Sequence, residues 1–464
     1  MSKLVVVSNR VGVPTRKSGV AAGGLAVALN DVLAERGGLW FGWSGKIGAP
    51  QSEATLVEHG KITYALCDLS NEDFGEYYNG FANRTLWPLL HYRLDLTEFA
   101  RRDLAGYRRV NSYFADLLIK HIEPDDVIWI HDYHLIPLAE ALRARGVNNR
   151  IGYFQHIPWP SPDIFLALPN HIEIGHALTA CDLVGFQTER DAVNFGRYLV
   201  EELGAFARKD HVFSVAGREL RTGVYPVGID RIGFARMAKR ASRSRFVAEV
   251  ANSLNGRPML MGVDRLDYSK GLTQRLDAFE RMLETAAEWR GHVTFLQITP
   301  KSRGDIPEYA AMQRALGETA GRINGRYGEA NWTPIRYVNR SHTRLELAGL
   351  YRVAKVGVVT PLRDGMNLVA KEFVAAQDPE DPGVLVISRF AGAASVLDGA
   401  LVVNPYDMDG TANALSQALA MPLEERRQRW QSMWDRLETT DIAGWAPRFL
   451  AALERVSHRR RPLW

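Results

Sequence analysis

Pro258-Met259-Leu260-Met261-Gly262-Val263-Asp264-Arg265-Leu266-Asp267-Tyr268-Ser269-Lys270-Gly271-Leu272 passes from an apolar run, through a charged turn, into a segment with helical spacing. A short, unbroken apolar run fits a strand buried on both faces, as in parallel sheets covered by helices. The same sequence unit recurs along the chain. Runs of this character occupy 4–8, 39–43, 127–131, 151–155, 183–187, 258–263, 294–299, 335–338, 356–360, 384–387 and 401–403. Helical patterns fall between them, among others at 135–145, 190–203, 272–288, 344–353 and 368–377. Apolar strands joined by helix-length connections predict an α/β chain built on parallel sheets.

At 464 residues the chain exceeds what one hydrophobic core supports. A long basic helical stretch, 231–254, separates two series of alternating elements. The expectation is therefore two facing Rossmann-like domains, 1–230 and 231–444, with a site in the cleft between them. Residues 445–464 are read as a C-terminal helix free to pack back on the first domain. Several strands end abruptly in polar groups: Asn9-Arg10, His131-Asp132, His156, Arg265, Lys301-Ser302-Arg303 and Arg363-Asp364. Ligands of open parallel sheets bind outside the carboxyl ends of the strands, so these residues are the natural site candidates.

Arg265 and Lys270 lie five residues apart at one such end, with Gly271 leading into a helix. Two cations beside a helix N-terminus suit a diphosphate. Their bland alternative is surface pairing with Asp264 and Asp267. Asp364-Gly365-Met366-Asn367-Leu368-Val369 reads as a turn into a second helix, whose first backbone N–H groups face phosphate or sugar oxygens. Glu372, one turn further in, can accept two hydroxyl hydrogens at once. Together these residues point to a nucleotide-sugar. Arg10 and Arg303 end strands in different halves and could grip a phosphate monoester bidentately. Tyr78 and Trp87 are aromatic faces for a sugar ring, with core packing as the default.

Other signals are weaker. Gly23-Gly24 lacks the G-x-G-x-x-G spacing, which disfavours a nicotinamide oxidoreductase. His131-Asp132-Tyr133-His134 lacks the further ligand and the Glu of a zinc motif, so no metal is expected and Asp132 is read as an acceptor for a sugar hydroxyl. Asp407-Met408-Asp409 is read as a helix cap. The net charge of +4 gives no reason to expect nucleic acid or a membrane surface. The two cysteines, Cys67 and Cys181, sit in apolar runs and form neither a disulfide framework nor a metal motif. No apolar stretch approaches membrane-span length, and the start of the chain lacks a signal-peptide core, so a cytoplasmic protein is expected.

These stretches, in order from about residue 4 to 450, resemble the trehalose-6-phosphate synthase family of retaining glycosyltransferases. The match runs through Val5-Val6-Val7-Ser8-Asn9-Arg10, Gly38-Leu39-Trp40-Phe41-Gly42-Trp43-Ser44-Gly45, Trp129-Ile130-His131-Asp132-Tyr133-His134-Leu135 and Phe154-Gln155-His156-Ile157-Pro158. It continues through Arg265-Leu266-Asp267-Tyr268-Ser269-Lys270-Gly271, Ser302-Arg303-Gly304-Asp305 and 360–372. The resemblance implies the GT-B architecture of two facing Rossmann domains. It also implies that Gly24, Arg265, Lys270, Asp364, Asn367, Leu368, Val369 and Glu372 hold UDP-glucose. By the same resemblance Arg10, Tyr78, Trp87, Asp132 and Arg303 hold glucose 6-phosphate, and His156 contacts the transferred glucose. Arg265, Lys270, Asp132 and His156 are then the catalytic candidates, with no cofactor and no metal, and a homo-oligomer is compatible with this reading. Two alternatives remain at this stage: a sister transferase with another phosphorylated acceptor such as glycerol 3-phosphate, and a catalytically silent sugar-phosphate sensor on the same fold.

Overall fold

Val5, Val6 and Val7 have no solvent exposure, and neither have Ile128 and Ile130 of the neighbouring strand, as runs buried on both sheet faces require. The structure, a computed structural model, describes residues 2–14, 24–300 and 307–456. The chain divides into two compact units, Met1–Pro226 with Ala443–Trp464, and Val227–Ile442.

The first unit contains β1 (Leu4–Arg10), β2 (Gly38–Ile47), β3 (Thr55–His59), β4 (Ile62–Leu69), β5 (Val127–His131), β6 (Arg150–Phe154), β7 (Leu183–Phe186), β8 (Phe206–Ala207), β9 (Val212–Val215) and β10 (Arg218–Val224). They form one sheet in the order β3-β4-β2-β1-β5-β6-β7-β10-β9-β8. From β4 to β10 neighbouring strands are parallel, while β3 and β8–β9 add antiparallel hairpins at the two edges.

The second unit contains β11 (Met259–Val263), β12 (Thr294–Ile298), β13 (Ile335–Val338), β14 (Val356–Val359), β15 (Val384–Ser388) and β16 (Leu401–Val403). These are all parallel, in the order β13-β12-β11-β14-β15-β16. Apolar cores lie on both faces: Met259, Met261 and Ile387 belong to one, and Leu260, Val358 and Val386 to the other. The basic stretch read from sequence forms two helices of this unit, Arg231–Ala241 and Arg245–Asn252.

Helix Ile442–Glu454 carries the chain into the core of the first unit. Trp445 is fully buried, its ring centroid 5.0 Å from that of Trp129 and 5.1 Å from Phe154, and its Nε1–H donates to the Tyr225 carbonyl at 3.1 Å. Phe449 presses so closely on β6 and β7 that a Cβ at Gly152 or Gly185 would lie 2.7 Å from its ring. Truncating a buried aromatic of this size costs about 3–5 kcal/mol. Trp445→Ala should therefore lower the denaturant midpoint of the first unit, read from a fluorophore on Met1–Pro226. An unchanged midpoint would show that this helix contributes little to that core.

Candidate functional site

Counted within the second unit, the strand order is 3-2-1-4-5-6, the doubly-wound arrangement whose ligands bind where the order reverses. The reversal falls between β11 and β14. The parallel strands of the first unit reverse between β1 and β5 in the same way. Both reversal points carry residues singled out from the sequence: Arg265–Lys270 after β11 and Asp364 after β14, and Arg10 at the end of β1 with Asp132 after β5.

In the second unit a set of carboxylates holds the cations in place. Asp267 caps the short turn Tyr268–Lys270, accepting from Ser269 N–H at 3.0 Å, and its other oxygen lies 3.2 Å from Arg265 Nη2. Lys270 Nζ donates to Asp364 Oδ2 at 2.5 Å. Asn367 Nδ2 donates to the same oxygen at 2.9 Å, while Asn367 Oδ1 caps helix Leu368–Ala376 by accepting from Ala370 N–H at 3.2 Å. Gly271 takes φ +62°, and a Cβ there would sit 2.4 Å from the Thr360 carbonyl, so the turn packs directly on the end of β14. The first-turn N–H groups at Leu368 and Val369 have no acceptor four residues back, as at any helix start.

Glu372 follows one turn later. Burial pushes its carboxyl up to about 7, against the opposing pull of the Arg344 guanidinium 3.5 Å away. The carboxyl is thus divided between its neutral and ionised forms near neutral pH.

In the first unit the Arg10 guanidinium lies 5.7 Å from the Trp43 ring centroid, and Tyr78 lies 5.8 Å from that same ring. Tyr78 also stacks on His134 with an 11° interplanar angle. Trp87 is mostly core, 5% exposed, with its ring 4.2 Å from His91 and 5.6 Å from Tyr133. Asp132 Oδ1 accepts from the His156 backbone N–H at 3.2 Å. His156 Nε2 meets His131 Nδ1 at 3.0 Å. Burial pulls His156 down to about 3 and His131 well below its ordinary value, so both rings are neutral at pH 7 and share one proton across that contact. Gly24 opens helix Gly24–Arg36. Ser302 and Arg303 lie outside the described residues, as does Gly23.

Sequence reasoning missed three partners. Asp264, weighed as a surface partner for the cations, is instead buried against Arg275, with Nη2 to Oδ2 at 2.7 Å. The available signal was an arginine on the apolar stripe 272, 275, 276, 279, 283 of its helix. Trp43, which links Arg10 to Tyr78, read only as a strand residue, and His131, singled out as the polar end of its strand, gave no sign that its ring meets His156. The bland reading of Asp407 fits its place, since it accepts from Gly410 N–H at 2.8 Å as an N-cap. Both cysteines are buried and unpaired, and burial pushes both thiols up. Among the described residues no group of three or more His, Cys, Asp or Glu could hold a metal, and no helix is long and apolar enough to cross a membrane.

Residues 2–455 match the family model described as Glycosyltransferase family 20. The chain belongs to glycosyltransferase family 20. Among this family 20 chain's relatives is the trehalose-6-phosphate synthase of Sinorhizobium fredii, 55% identical over 462 residues, covering 99% of this chain and 100% of the relative. Its fold matches that of an α,α-trehalose-phosphate synthase (UDP-forming) from Burkholderia xenovorans in complex with glucose-6-phosphate. That match has a TM-score of 0.93 and 49% identity, and covers 98% of this chain and 100% of the other. The E. coli protein bound with UDP-2-fluoro glucose matches with a TM-score of 0.93 and 47% identity, over 98% and 99% of the two chains.

The arrangement around Glu372 has a measurable consequence in the family 20 chain by itself. Carbon-13 NMR of the labelled carboxyl should show Glu372 titrating near pH 7. Arg344→Ala should move that midpoint upward, because the neighbouring cation favours the charged form. A midpoint in the ordinary carboxylate range would contradict the burial argument.

Proposed function

We propose that this family 20 glycosyltransferase moves the glucosyl group of UDP-glucose onto glucose 6-phosphate with retention, giving α,α-trehalose 6-phosphate and UDP, in the cytoplasm. The observation that carries the proposal is the reversal point of the second unit. There Arg265 and Lys270 stand beside a capped helix start, with Glu372 one turn in. Cations and N–H groups suit a diphosphate, and a carboxylate suits the vicinal hydroxyls of the ribose or glucose. The related proteins that bind UDP-2-fluoro glucose and glucose-6-phosphate support the pairing of donor and acceptor.

The donor side comprises Gly24, Arg265, Lys270, Asp364, Asn367, Leu368, Val369 and Glu372. Arg10, Tyr78, Trp87, Asp132 and Arg303 serve the acceptor. The Arg10–Trp43–Tyr78 cluster offers one cation for the phosphate and one aromatic face for the ring. Asp132 accepts a sugar hydroxyl, and neutral His156 offers an uncharged contact to the glucose being transferred.

Retention through a covalent intermediate would need a carboxylate nucleophile about 5–5.5 Å from its acid/base partner. The carboxylates described after β11 and β14 are instead engaged in holding cations: Asp267 to Arg265 and Asp364 to Lys270. Front-face displacement fits better. The bond from the anomeric carbon to the UDP oxygen breaks, and the anomeric hydroxyl of the acceptor bonds to that carbon from the same face. Its proton passes to the departing diphosphate. Arg265 and Lys270 stabilise the charge that develops on this diphosphate, the preorganised electrostatic contribution that dominates many enzymes.

Arg265→Ala should lower kcat by ~100-fold or more, the scale of losing one such stabiliser. Near-parental turnover would remove Arg265 from the reaction. Arg10→Ala should raise the KM for glucose 6-phosphate with kcat little changed, as expected when uniform binding is lost. Incubation with UDP-, ADP- and GDP-glucose against glucose 6-phosphate and glycerol 3-phosphate, with product identification, tests the assignment. A disaccharide phosphate from the UDP-glucose and glucose 6-phosphate pair supports it, and binding of both ligands without UDP release refutes it. Because arginine and lysine supply the positive charge, chelator should leave the rate unchanged; loss of activity restored by a divalent ion would overturn the metal-free step.

A further inference from the structure

Arg275 is a guanidinium only 1% exposed, on the inner face of helix Leu272–Thr285. Nε–H donates to Thr360 Oγ1 at 3.0 Å and Nη1 to Gln297 Oε1 at 3.1 Å. Nη2 donates to Asp264 Oδ2 at 2.7 Å and to the Lys270 carbonyl at 3.3 Å. Each acceptor belongs to a different piece of the sheet's carboxyl edge. Asp264 follows β11, Gln297 lies in β12, Thr360 follows β14, and Lys270 closes the cationic turn. The backbone makes room for this hub. A Cβ at Gly262 in β11 would fall 2.7 Å from Arg275 Nη1 and 2.5 Å from Gln297 Oε1.

A buried ion pair is weak support for stability, because desolvating both charges offsets most of their attraction. Direction is what a guanidinium adds. Its planar fork fixes several acceptors at set angles, which a flexible ammonium cannot do. Here the fork reaches the start of the turn at Asp264, its end at Lys270 and the tip of β14. We propose that Arg275 is a positioning residue for glucosyl transfer. It locks the turn 264–271 against β14, so that Arg265 and Lys270 present their charges to the donor diphosphate at a fixed spacing. This rests on the donor assignment made above. Arg275 itself does not touch substrate; it acts through the Lys270 backbone and Asp264.

The test separates position from stability. Arg275→Met alone would strand the Asp264 carboxylate, so it is paired with Asp264→Asn, which leaves neither charge buried. The double variant should keep a melting temperature close to the parent and an unchanged KM for glucose 6-phosphate. It should lose ~100-fold in kcat/KM for UDP-glucose, the size of effect expected from about 1 Å of misplacement. Arg275→Lys is the second arm. It retains a cation beside Asp264 but cannot reach Thr360 and the Lys270 carbonyl together, and it should show the same donor-selective loss even if the double variant does not fold. Parental donor kinetics in either folded variant would overturn the proposal, as would an equal rise in KM for both substrates. Arg265→Ala, run alongside, distinguishes the two failures. Full activity there sinks the donor assignment and the proposal with it. Loss there, with none in the Arg275 variants, sinks only the positioning role.

Discussion

The contact between Lys270 Nζ and Asp364 Oδ2, 2.5 Å long, joins residues 94 apart in sequence across the one place in the second sheet where strand order reverses. At that place the helices following β11 and β14 diverge to opposite faces, and a gap opens at the carboxyl edge. Cations gathered around such a gap repel each other unless each is tethered. Asp364 tethers Lys270 and Asp267 tethers Arg265, so the positive charge is held in position rather than left to find its own rotamer. Asp364 Oδ2 also accepts from Asn367, which caps the following helix. A single carboxylate oxygen therefore sets the cation, the helix start and, one turn on, Glu372 in a common frame.

The two units prepare their groups by opposite means. In the second, charge is paired with charge at the carboxyl edge of the sheet, and burial pushes the Glu372 carboxyl up to about 7. In the first, burial removes charge: His131 and His156 stay neutral and exchange one hydrogen bond within a shell formed by Trp129, Phe154 and Trp445. Under the proposed assignment, a neutral imidazole there would neither compete with the arginines for the acceptor phosphate nor repel positive charge developing on the transferred glucose.

The elements legible in the sequence were those buried on both faces. Val5 to Val7, Ile128 to Ile130 and Val384 to Ile387 read as strands because every position in them is buried and apolar. Strands β3, β4 and β8–β10 did not. Thr55–His59 is exposed or half-exposed throughout and Phe206–Ala207 is exposed, so their identity comes from pairing with a neighbour rather than from an apolar run. The site followed the same division. Arg265, Lys270, Asp132 and Asp364 were visible as charges ending apolar runs. Arg275 sat inside a helix, and its pairing with Asp264, Gln297 and Thr360 exists only once three strands are side by side. His131 looked like the last residue of a strand, and nothing local in sequence tells that its ring meets His156.

Backbone strain marks the same two places independently of charge. Several residues other than glycine have positive φ; Asp210, His211, Ala216 and Asn255 occupy turns. Asn367 and Asp132, both at φ 75°, instead sit at the reversal points of their sheets. Asp132 has ψ 165°, a region that is almost exclusively glycine's and costs about 1–3 kcal/mol for a residue with a Cβ. A glycine would relieve that strain but would lose the carboxylate. The surroundings over-determine the conformation: Asp132 N–H donates to the Phe154 carbonyl at 2.9 Å, its carbonyl accepts from Leu135 N–H at 3.0 Å, and its Oδ1 holds His156 N–H at 3.2 Å. Asn367 is restrained in the same manner by its helix cap and by Asp364. At the point where each parallel sheet opens, the strained backbone is thus pinned by hydrogen bonds made by its own polar side chain, Asp132 in one unit and Asn367 in the other.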